Sequence, residues 1–126
     1  MLKRFAVSLV LSLLVTACSS PEEGGECSID EGVCESASIA LICEHARFRK
    51  FTCRGPRGCS EDSGHEQVLC DFGDFLAGDT CPVSFESRSQ CDVSNVNQAL
   101  YCRNGTMKAV ACQACTPNGE NTVCRP

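Results

Sequence analysis

Thirteen cysteines among 126 residues constrain this chain more than any other feature. Twelve of them form two groups of six with the same middle interval, Cys43 to Cys53 in the first group and Cys102 to Cys112 in the second. Cysteine this dense in a short chain is typical of exported domains, where disulfides compensate for the small core that about 50 residues can bury. The sequence therefore predicts a small disulfide-rich fold in an oxidising compartment.

The N-terminus has the order of an export signal. Lys3 and Arg4 precede an apolar run from Phe5 to Ala17, which is too short for a membrane-spanning helix of about 20 residues and fits a signal peptide. A single membrane anchor and an ordinary cleaved signal are the alternatives. Ordinary cleavage would leave Cys18 unpaired in an oxidising space, so a further role for this cysteine is expected.

Leu14-Val15-Thr16-Ala17-Cys18 resembles a bacterial lipobox, with Val15 where Leu is commonest. The resemblance implies a lipoprotein signal peptide over residues 1–17 and a Cys18 that carries a diacylglyceryl group and an N-acyl chain such as palmitate. Each buried CH₂ contributes about 0.8 kcal/mol to anchoring, so several chains hold firmly. Because Ser19 replaces the Asp that retains lipoproteins at the inner membrane, the resemblance points to the outer membrane, periplasmic or surface-facing.

The net charge limits the classes of partner that this chain is expected to bind. Without residues 1–17 the chain keeps 9 basic and 16 acidic side chains, a net charge of −7. Nucleic acid is excluded as a partner, because its binding depends on neutralising phosphates with Lys and Arg. Charge does not draw this chain to an anionic bilayer either, so the N-terminal lipid alone is expected to attach it to the membrane.

The cysteines divide the chain into two repeats. We expect a lipidated N-terminus and flexible tether over 18–26, repeat 1 over 27–71, a linker over 72–80 and repeat 2 over 81–126. Phe72, Phe75 and Leu76 of the linker are expected to pack between the repeats. The twelve cysteines expected to form disulfides are Cys27, Cys34, Cys43, Cys53, Cys59 and Cys70, then Cys81, Cys91, Cys102, Cys112, Cys115 and Cys124.

Turn chemistry predicts the local structure. Asn104-Gly105 between β-compatible runs favours a two-residue type I′ hairpin, because both residues tolerate positive φ. The aligned His45-Ala46 is a weaker turn signal that allows a wider loop. Third strands are expected from Glu66–Asp71 and Asn121–Arg125. The predicted fold class is small, disulfide-rich and mostly β, with two tandem three-stranded antiparallel modules after a cleaved signal peptide.

The hairpin register limits the disulfides. A two-residue turn places Cys102 opposite Met107, so Cys102 and Cys112 point to opposite faces, whereas a disulfide needs Cβ atoms roughly 4 Å apart. Cys102–Cys112 and Cys43–Cys53 are therefore disfavoured. The residues alone leave the choice open among the remaining connectivities of the 15 that six cysteines allow.

Ala40-Leu41-Ile42-Cys43 and the Cys53–Cys59 loop, Cys-Arg-Gly-Pro-Arg-Gly-Cys, resemble the tandem six-cysteine repeats of small myxobacterial-type surface lipoproteins. This resemblance implies a domain architecture and a cellular location rather than an activity. A weaker similarity to chitin-binding modules of the peritrophin kind implies a pairing of first with third, second with sixth and fourth with fifth cysteine. The implied disulfides are Cys27–Cys43, Cys34–Cys70, Cys53–Cys59, Cys81–Cys102, Cys91–Cys124 and Cys112–Cys115.

Cys112-Gln113-Ala114-Cys115 is a CxxC motif, which can be a redox pair or half a zinc site. A redox pair is expected at a helix N-terminus that lowers a thiol pKa, and zinc needs four spaced ligands. Neither context is present, and His45 and His65 do not complete a site. We interpret the motif as structural and predict no metal, no cofactor, no catalytic residues and no enzymatic activity.

Three further groups have both a functional and a structural interpretation. A basic stretch offers an anion or glycan contact, although balancing nearby acids is the favoured interpretation; it comprises Arg47, Arg49, Lys50, Arg54 and Arg57. Phe48, Phe51 and Tyr101 suggest a sugar platform but are more typical of a core. A set of acids does not follow calcium-loop spacing and is interpreted as loop acids: Glu61, Asp62, Glu66 and Asp71.

Together these patterns predict an outer-membrane-anchored lipoprotein with a structural or binding role at the cell envelope or surface. Its partners are the membrane, through the lipid, and an envelope or extracellular glycan or a protein. A glycan-binding module is the alternative function, and a thiol–disulfide oxidoreductase using Cys112 and Cys115 is the less favoured one.

Overall fold

The computed structural model describes residues 19–62 and 67–126. The predicted signal peptide, the predicted lipid attachment at Cys18, and Glu66 of one predicted third strand lie outside the described residues. Within the described part the chain is mostly β, with four small antiparallel sheets and six disulfides, which confirms the predicted fold class. None of the helices found in that part has the length and apolarity needed to cross a membrane.

Each repeat forms a module with a three-stranded sheet and a two-stranded ribbon. The strands of module 1 are β1 Gly32–Ser36, β2 Ile39–Glu44, β3 Arg47–Thr52, β4 Cys59–Glu61 and β5 Val68–Cys70. Those of module 2 are β6 Ser89–Cys91, β7 Gln98–Arg103, β8 Thr106–Ala111, β9 Ala114–Asn118 and β10 Asn121–Arg125, with a 3₁₀ turn at Val83–Phe85. The sheets have the order β1-β2-β3 and β6-β7-β8, and the ribbons are β4-β5 and β9-β10.

The predicted hairpin at Asn104-Gly105 is confirmed. The two residues have φ of 51° and 73°, and Cys102 lies opposite Met107 in the β7–β8 register. The turn in module 1 is not wider, as its sequence allowed. His45 and Ala46 have φ of 54° and 61° and join β2 to β3 by the same two-residue turn, because strand pairing on both sides outweighs the cost of a left-handed alanine.

The predicted third strands are wrong in their position. β1 and β6, which precede each hairpin, complete the three-stranded sheets. The predicted segments, Glu66–Asp71 and Asn121–Arg125, instead supply β5 and β10, which pair with β4 and β9. The physical reason is proximity in sequence, because a neighbouring strand joined by a short turn loses little entropy on closing its loop.

The predicted flexible tether over 18–26 is also wrong at its C-terminal end. Gly24 N–H donates to Phe48 O at 2.8 Å, Phe48 N–H donates to Gly25 O at 2.9 Å, and Glu26 bridges to Arg47. These residues therefore run along the outer edge of β3. Module 1 begins near Glu22, whose carbonyl accepts from Gly25 N–H at 3.0 Å.

Module 2 repeats this arrangement bond for bond. Gly78 N–H donates to Met107 O at 2.9 Å, Met107 N–H donates to Asp79 O at 2.8 Å, and Thr80 bridges to Thr106. Gly24 and Gly78 both have left-handed backbones, with φ of 83° and 90°. The same entry segment, hairpin and ribbon thus occur twice, as expected of two copies of one unit.

The predicted packing of the linker aromatics between the repeats is confirmed. Phe72 lies edge-on to Phe51 of module 1, with ring centroids 5.8 Å apart, and stacks on Phe75 at 5.7 Å. Phe75 is fully buried and belongs to the core of module 2 with Leu100, and Phe85 lies within 5.5 Å of both linker rings. One aromatic cluster therefore connects the two modules.

Candidate functional site

The twelve cysteines of the modules form six disulfides, and both modules use the same connectivity, first with third, second with fifth and fourth with sixth. The bonds are Cys27–Cys43, Cys34–Cys59, Cys53–Cys70, Cys81–Cys102, Cys91–Cys115 and Cys112–Cys124. The predicted first-with-third pairs, Cys27–Cys43 and Cys81–Cys102, are confirmed. The other predicted pairs are wrong: Cys34–Cys70, Cys53–Cys59, Cys91–Cys124 and Cys112–Cys115.

The ribbon explains the difference. Cys59 and Cys70 lie directly opposite each other on β4 and β5, yet Cys59 bonds to Cys34 on β1 and Cys70 bonds to Cys53 at the end of β3. Each strand of the ribbon is thereby attached to a different strand of the sheet. In module 2 the ribbon of β9 and β10 is attached in the same way.

The CxxC motif is split between two disulfides. Cys115 bonds to Cys91 and Cys112 bonds to Cys124, so the two motif cysteines do not form the bridge that a dithiol exchange site of the CxxC type would close. This geometry favours the structural interpretation of the motif. Among the described residues, no cluster of three or more His, Cys, Asp or Glu side chains is placed to hold a metal ion.

The five predicted anion contacts each have an acidic partner of their own. The ion pairs are Arg47–Glu26, Arg49–Glu44, Lys50–Glu35, Arg54–Asp79 and Arg57–Asp71. The structure does not gather these cations on one face, because Arg47 and Arg49 point to one side of β3, Lys50 points to the other, and Arg54 and Arg57 follow the strand. This geometry favours charge balance over an anion site in module 1.

Phe48 and Phe51 are buried in module 1, and they project from opposite faces of β3 because successive side chains of a strand alternate. Tyr101 belongs to module 2 and is only partly buried. The three aromatic residues therefore form no common platform. The core interpretation holds for the two phenylalanines.

The predicted loop acids act within the module. Asp71 accepts bonds from Gly73 N–H and from the backbone and guanidinium of Arg57, all within 3.2 Å. The two backbone donors, followed by the Arg57 side chain, hold the pKa of Asp71 below its ordinary value although burial acts the other way. Gly55 is required beside it, since a Cβ there would lie 2.1 Å from the Asp71 carboxyl.

Glu61 also has a local role, because its carboxylate accepts from Cys34 N–H at 2.7 Å. Asp62 is exposed, and Glu66 lies outside the described residues. These contacts support the interpretation of Glu61 and Asp71 as structural loop acids.

Polar contacts reinforce the aromatic junction between the modules. The Arg54 guanidinium donates two bonds to the Asp79 carboxylate, at 2.6 and 2.8 Å, and Leu76 N–H donates to the same group at 2.9 Å. Burial tends to raise the pKa of Asp79, but the hydrogen bond from Arg54, that from Leu76 N–H and the Arg54 charge outweigh it and lower this pKa. The Asp79 carboxylate is thus a charged, hydrogen-bonded part of the junction.

The face of module 1 that meets module 2 lies on the β2–β3 hairpin. Glu44 pairs with Arg49 there and also accepts Val83 N–H of module 2 at 2.7 Å. Arg49 reaches Gly105 O of the module 2 turn at 3.4 Å, and Phe51 on the same face meets Phe72. We call this surface the junction face.

The corresponding surface of module 2 was not singled out by the sequence, except for Tyr101. Aligning the two hairpins by their turns places Tyr101, Arg103, Lys108 and Val110 at the positions of Ile42, Glu44, Arg49 and Phe51. Arg103 lies over the Tyr101 ring, 5.7 Å from its centroid, and Lys108 is directly opposite Tyr101. We call these four side chains the Tyr101 face.

A cleft of about 510 Å³ lies in module 1 beside the N-terminal segment. Its walls include Ser19, Ser20, Pro21 and Glu22, and Phe48 lies in its lining. The start of the described chain therefore lies against the module.

Comparison with protein-family models, with curated proteins and with solved structures gives no match. The functional proposals below consequently depend on the residues and the geometry of this chain.

Proposed function

We propose that this protein is a lipid-anchored lipoprotein of the outer membrane whose two disulfide-stapled β modules form a non-catalytic binding or structural element at the cell envelope. The observation that carries the proposal is the pairing of cysteines. All twelve cysteines of the described residues are consumed in two identical sets of three. Cys18, the thirteenth, stands at the end of the lipobox-like segment.

The junction supports a structural or binding role. A shared aromatic cluster, a two-bond ion pair between Arg54 and Asp79 and contacts of the module 2 turn hold the modules against one another. A connected pair of small disulfide-bonded domains presents a surface of defined shape. This arrangement suits recognition or spacing at an envelope.

A lipid on Cys18 would keep module 1 close to the membrane, because the N-terminal segment is short. The first hydrogen bond from this segment to the sheet joins Gly24 N–H to Phe48 O, six residues after Cys18, and six residues span at most about 21 Å when fully extended. A lipid on Cys18 would hold module 1 at the bilayer surface. Module 2, joined through the linker, would then be the module further along the chain from the anchor.

The test is membrane fractionation of the full-length protein and of the Cys18→Ala variant. We expect the wild type in the outer-membrane fraction and the variant in the soluble fraction. Ser19→Asp is the matched variant for sorting, and it should move the protein to the inner membrane while leaving it lipidated. Intact mass of extracted wild type should show acylated residues 18–126 with six disulfides. Unchanged membrane association of Cys18→Ala would overturn the anchoring proposal.

A further inference from the structure

We propose that the Tyr101 face of module 2 binds an acidic glycan. Its four side chains lie together on one face of the β7–β8 hairpin. Tyr101 and Arg103 are two residues apart on β7, and Lys108 and Val110 are two residues apart on β8, so each pair shares a face. Lys108 is paired with Tyr101, which puts both pairs on the same face. The opposite face carries Leu100, which is buried in the module core. Arg103, Lys108 and Val110 are exposed and Tyr101 is half-buried, whereas Ala99 on the same face is buried. The part of this face formed by the four side chains is therefore open to solvent.

The cations of this face differ from the others. Six of the nine Lys and Arg residues in the described ranges form ion pairs with carboxylates, the five of module 1 and Arg88 with Glu120. Arg103 and Lys108 form no ion pair with any described carboxylate. Both are exposed; Arg103 lies over the ring of Tyr101, and Lys108 is the cross-strand partner of Tyr101. Two positive charges without an ion-pair partner among the described carboxylates create a local site for an anion in a chain of net charge −5.

The comparison between the modules shows that the Tyr101 face has changed from its counterpart. On the junction face Glu44 neutralises Arg49, and Phe51 is buried against Phe72. At the same positions module 2 has Arg103 in place of the acid, and Val110, 47% exposed, in place of the buried ring. The surface that contacts the neighbouring module in module 1 thus carries two exposed cations in module 2.

The chemistry of the ligand follows from these groups. Guanidinium and ammonium groups bind carboxylate or sulfate oxygens through charge-assisted hydrogen bonds. The Tyr101 ring, which is half-buried and has Arg103 over it, offers its remaining exposed surface to the C–H face of a sugar ring. A protein partner fits less well, because stable protein interfaces use about 20–30 residues a side and this face offers four. An acidic glycan satisfies both the charges and the ring.

The binding test uses full-length protein extracted in detergent, so its result is independent of where Cys18 anchors the chain. The probe is an oligogalacturonate, with its fully methyl-esterified form as the neutral match and poly-L-glutamate as an acidic chain without sugar rings. We expect the oligogalacturonate to bind, and Tyr101→Ala and Arg103→Gln each to weaken binding by about tenfold, the effect of losing one good contact. Arg57→Gln in module 1 removes the same charge and should leave binding unchanged.

Three results would overturn the proposal. The first is the absence of oligogalacturonate binding at millimolar protein concentration. The second is a sign of general charge attraction, namely equal binding of poly-L-glutamate or equal weakening by Arg57→Gln. The third is a concentration-dependent dimer, measured by light scattering without probe, that Arg103→Gln abolishes. That result would assign the face to contact between copies of the chain.

Discussion

Exchanging alanine and glycine in the two hairpin turns should change the free energy of unfolding in opposite directions. Ala46 and Gly105 occupy the same position of the same turn type, with φ of 61° and 73°. A left-handed backbone costs a non-glycine residue about 1–2 kcal/mol, and glycine gives back about 0.4–1 kcal/mol through its freer unfolded chain. Ala46→Gly should therefore increase the free energy of unfolding by about 0.5–1 kcal/mol.

The reverse change, Gly105→Ala, should lower the free energy of unfolding by a similar or larger amount, about 1–2 kcal/mol. The new methyl group adds a second cost, because its Cβ would lie 2.7 Å from Nη2 of Arg49. That atom is the end of a flexible side chain and can move. Its movement would break the bond from Arg49 to Gly105 O and so weaken the junction between the modules.

The measurement is thermal and guanidinium unfolding with all disulfides intact. One kcal/mol corresponds to about 4 °C in Tm for a chain of this size. Ala37→Gly is the matched control, since Ala37 is also an exposed turn residue but is not left-handed, and it should lower stability by about 0.5–1 kcal/mol. If Ala46→Gly lowered stability as Ala37→Gly does, the left-handed assignment of the module 1 turn would be refuted.

Other predictions concern the junction and the staples. The pKa of Asp79 is lower in the folded state than its ordinary value of 3.8. The ionised carboxylate therefore contributes fully to folding stability above that value, and this contribution is lost as the pH falls through the folded pKa. We expect Asp79→Asn to flatten the decrease in Tm below about pH 4. Replacing Cys53 and Cys70 together with alanine opens a loop of 17 residues and should cost about 3 kcal/mol in denaturant unfolding, whereas single variants should form mixed disulfides. Gly55→Ala should cost about 1–3 kcal/mol by displacing the nearby carboxylate, measured by the same unfolding. Non-reducing peptide maps should link Cys112 to Cys124, and a linked Cys112–Cys115 peptide would contradict the connectivity.

Local patterns predicted the parts of the fold that depend on neighbouring residues. Asn104-Gly105 specified the turn, and the turn specified the register that places Cys102 opposite Met107. The linker aromatics were recognisable because large apolar rings in a polar linker must pack somewhere. The repeat of cysteine spacing predicted two copies, since one stapled unit serves as the template for the other.

Long-range choices were not predictable from the same patterns. Glu66–Asp71 was the segment predicted as the third strand of repeat 1, but β1 takes that place because a two-residue turn joins it to β2. The disulfides of Cys59 and Cys70 depend on where the ribbon lies against the sheet, and the spacing of cysteines does not encode that position. The glycine at 55 had no recognisable purpose in sequence, because its role is the space left for Asp71 across the module.

The differences between the two hairpins are more informative about function than their similarities are. Duplicated modules that serve only as structure would be expected to keep neutral pairs such as Glu44 with Arg49, because like charges on neighbouring strands destabilise a sheet. Module 2 instead has Arg103 and Lys108 next to Tyr101. Neither forms an ion pair with a described carboxylate, and the neighbouring Glu86 carboxylate accepts backbone N–H groups of the turn. Arg103 keeps a cation–π contact with Tyr101 in place of an ion pair, and departures from a local rule are characteristic of functional surfaces. Restoring the acid of module 1 by Arg103→Glu should therefore abolish any glycan binding, and unchanged binding in this variant would show that the cation does not contact the ligand.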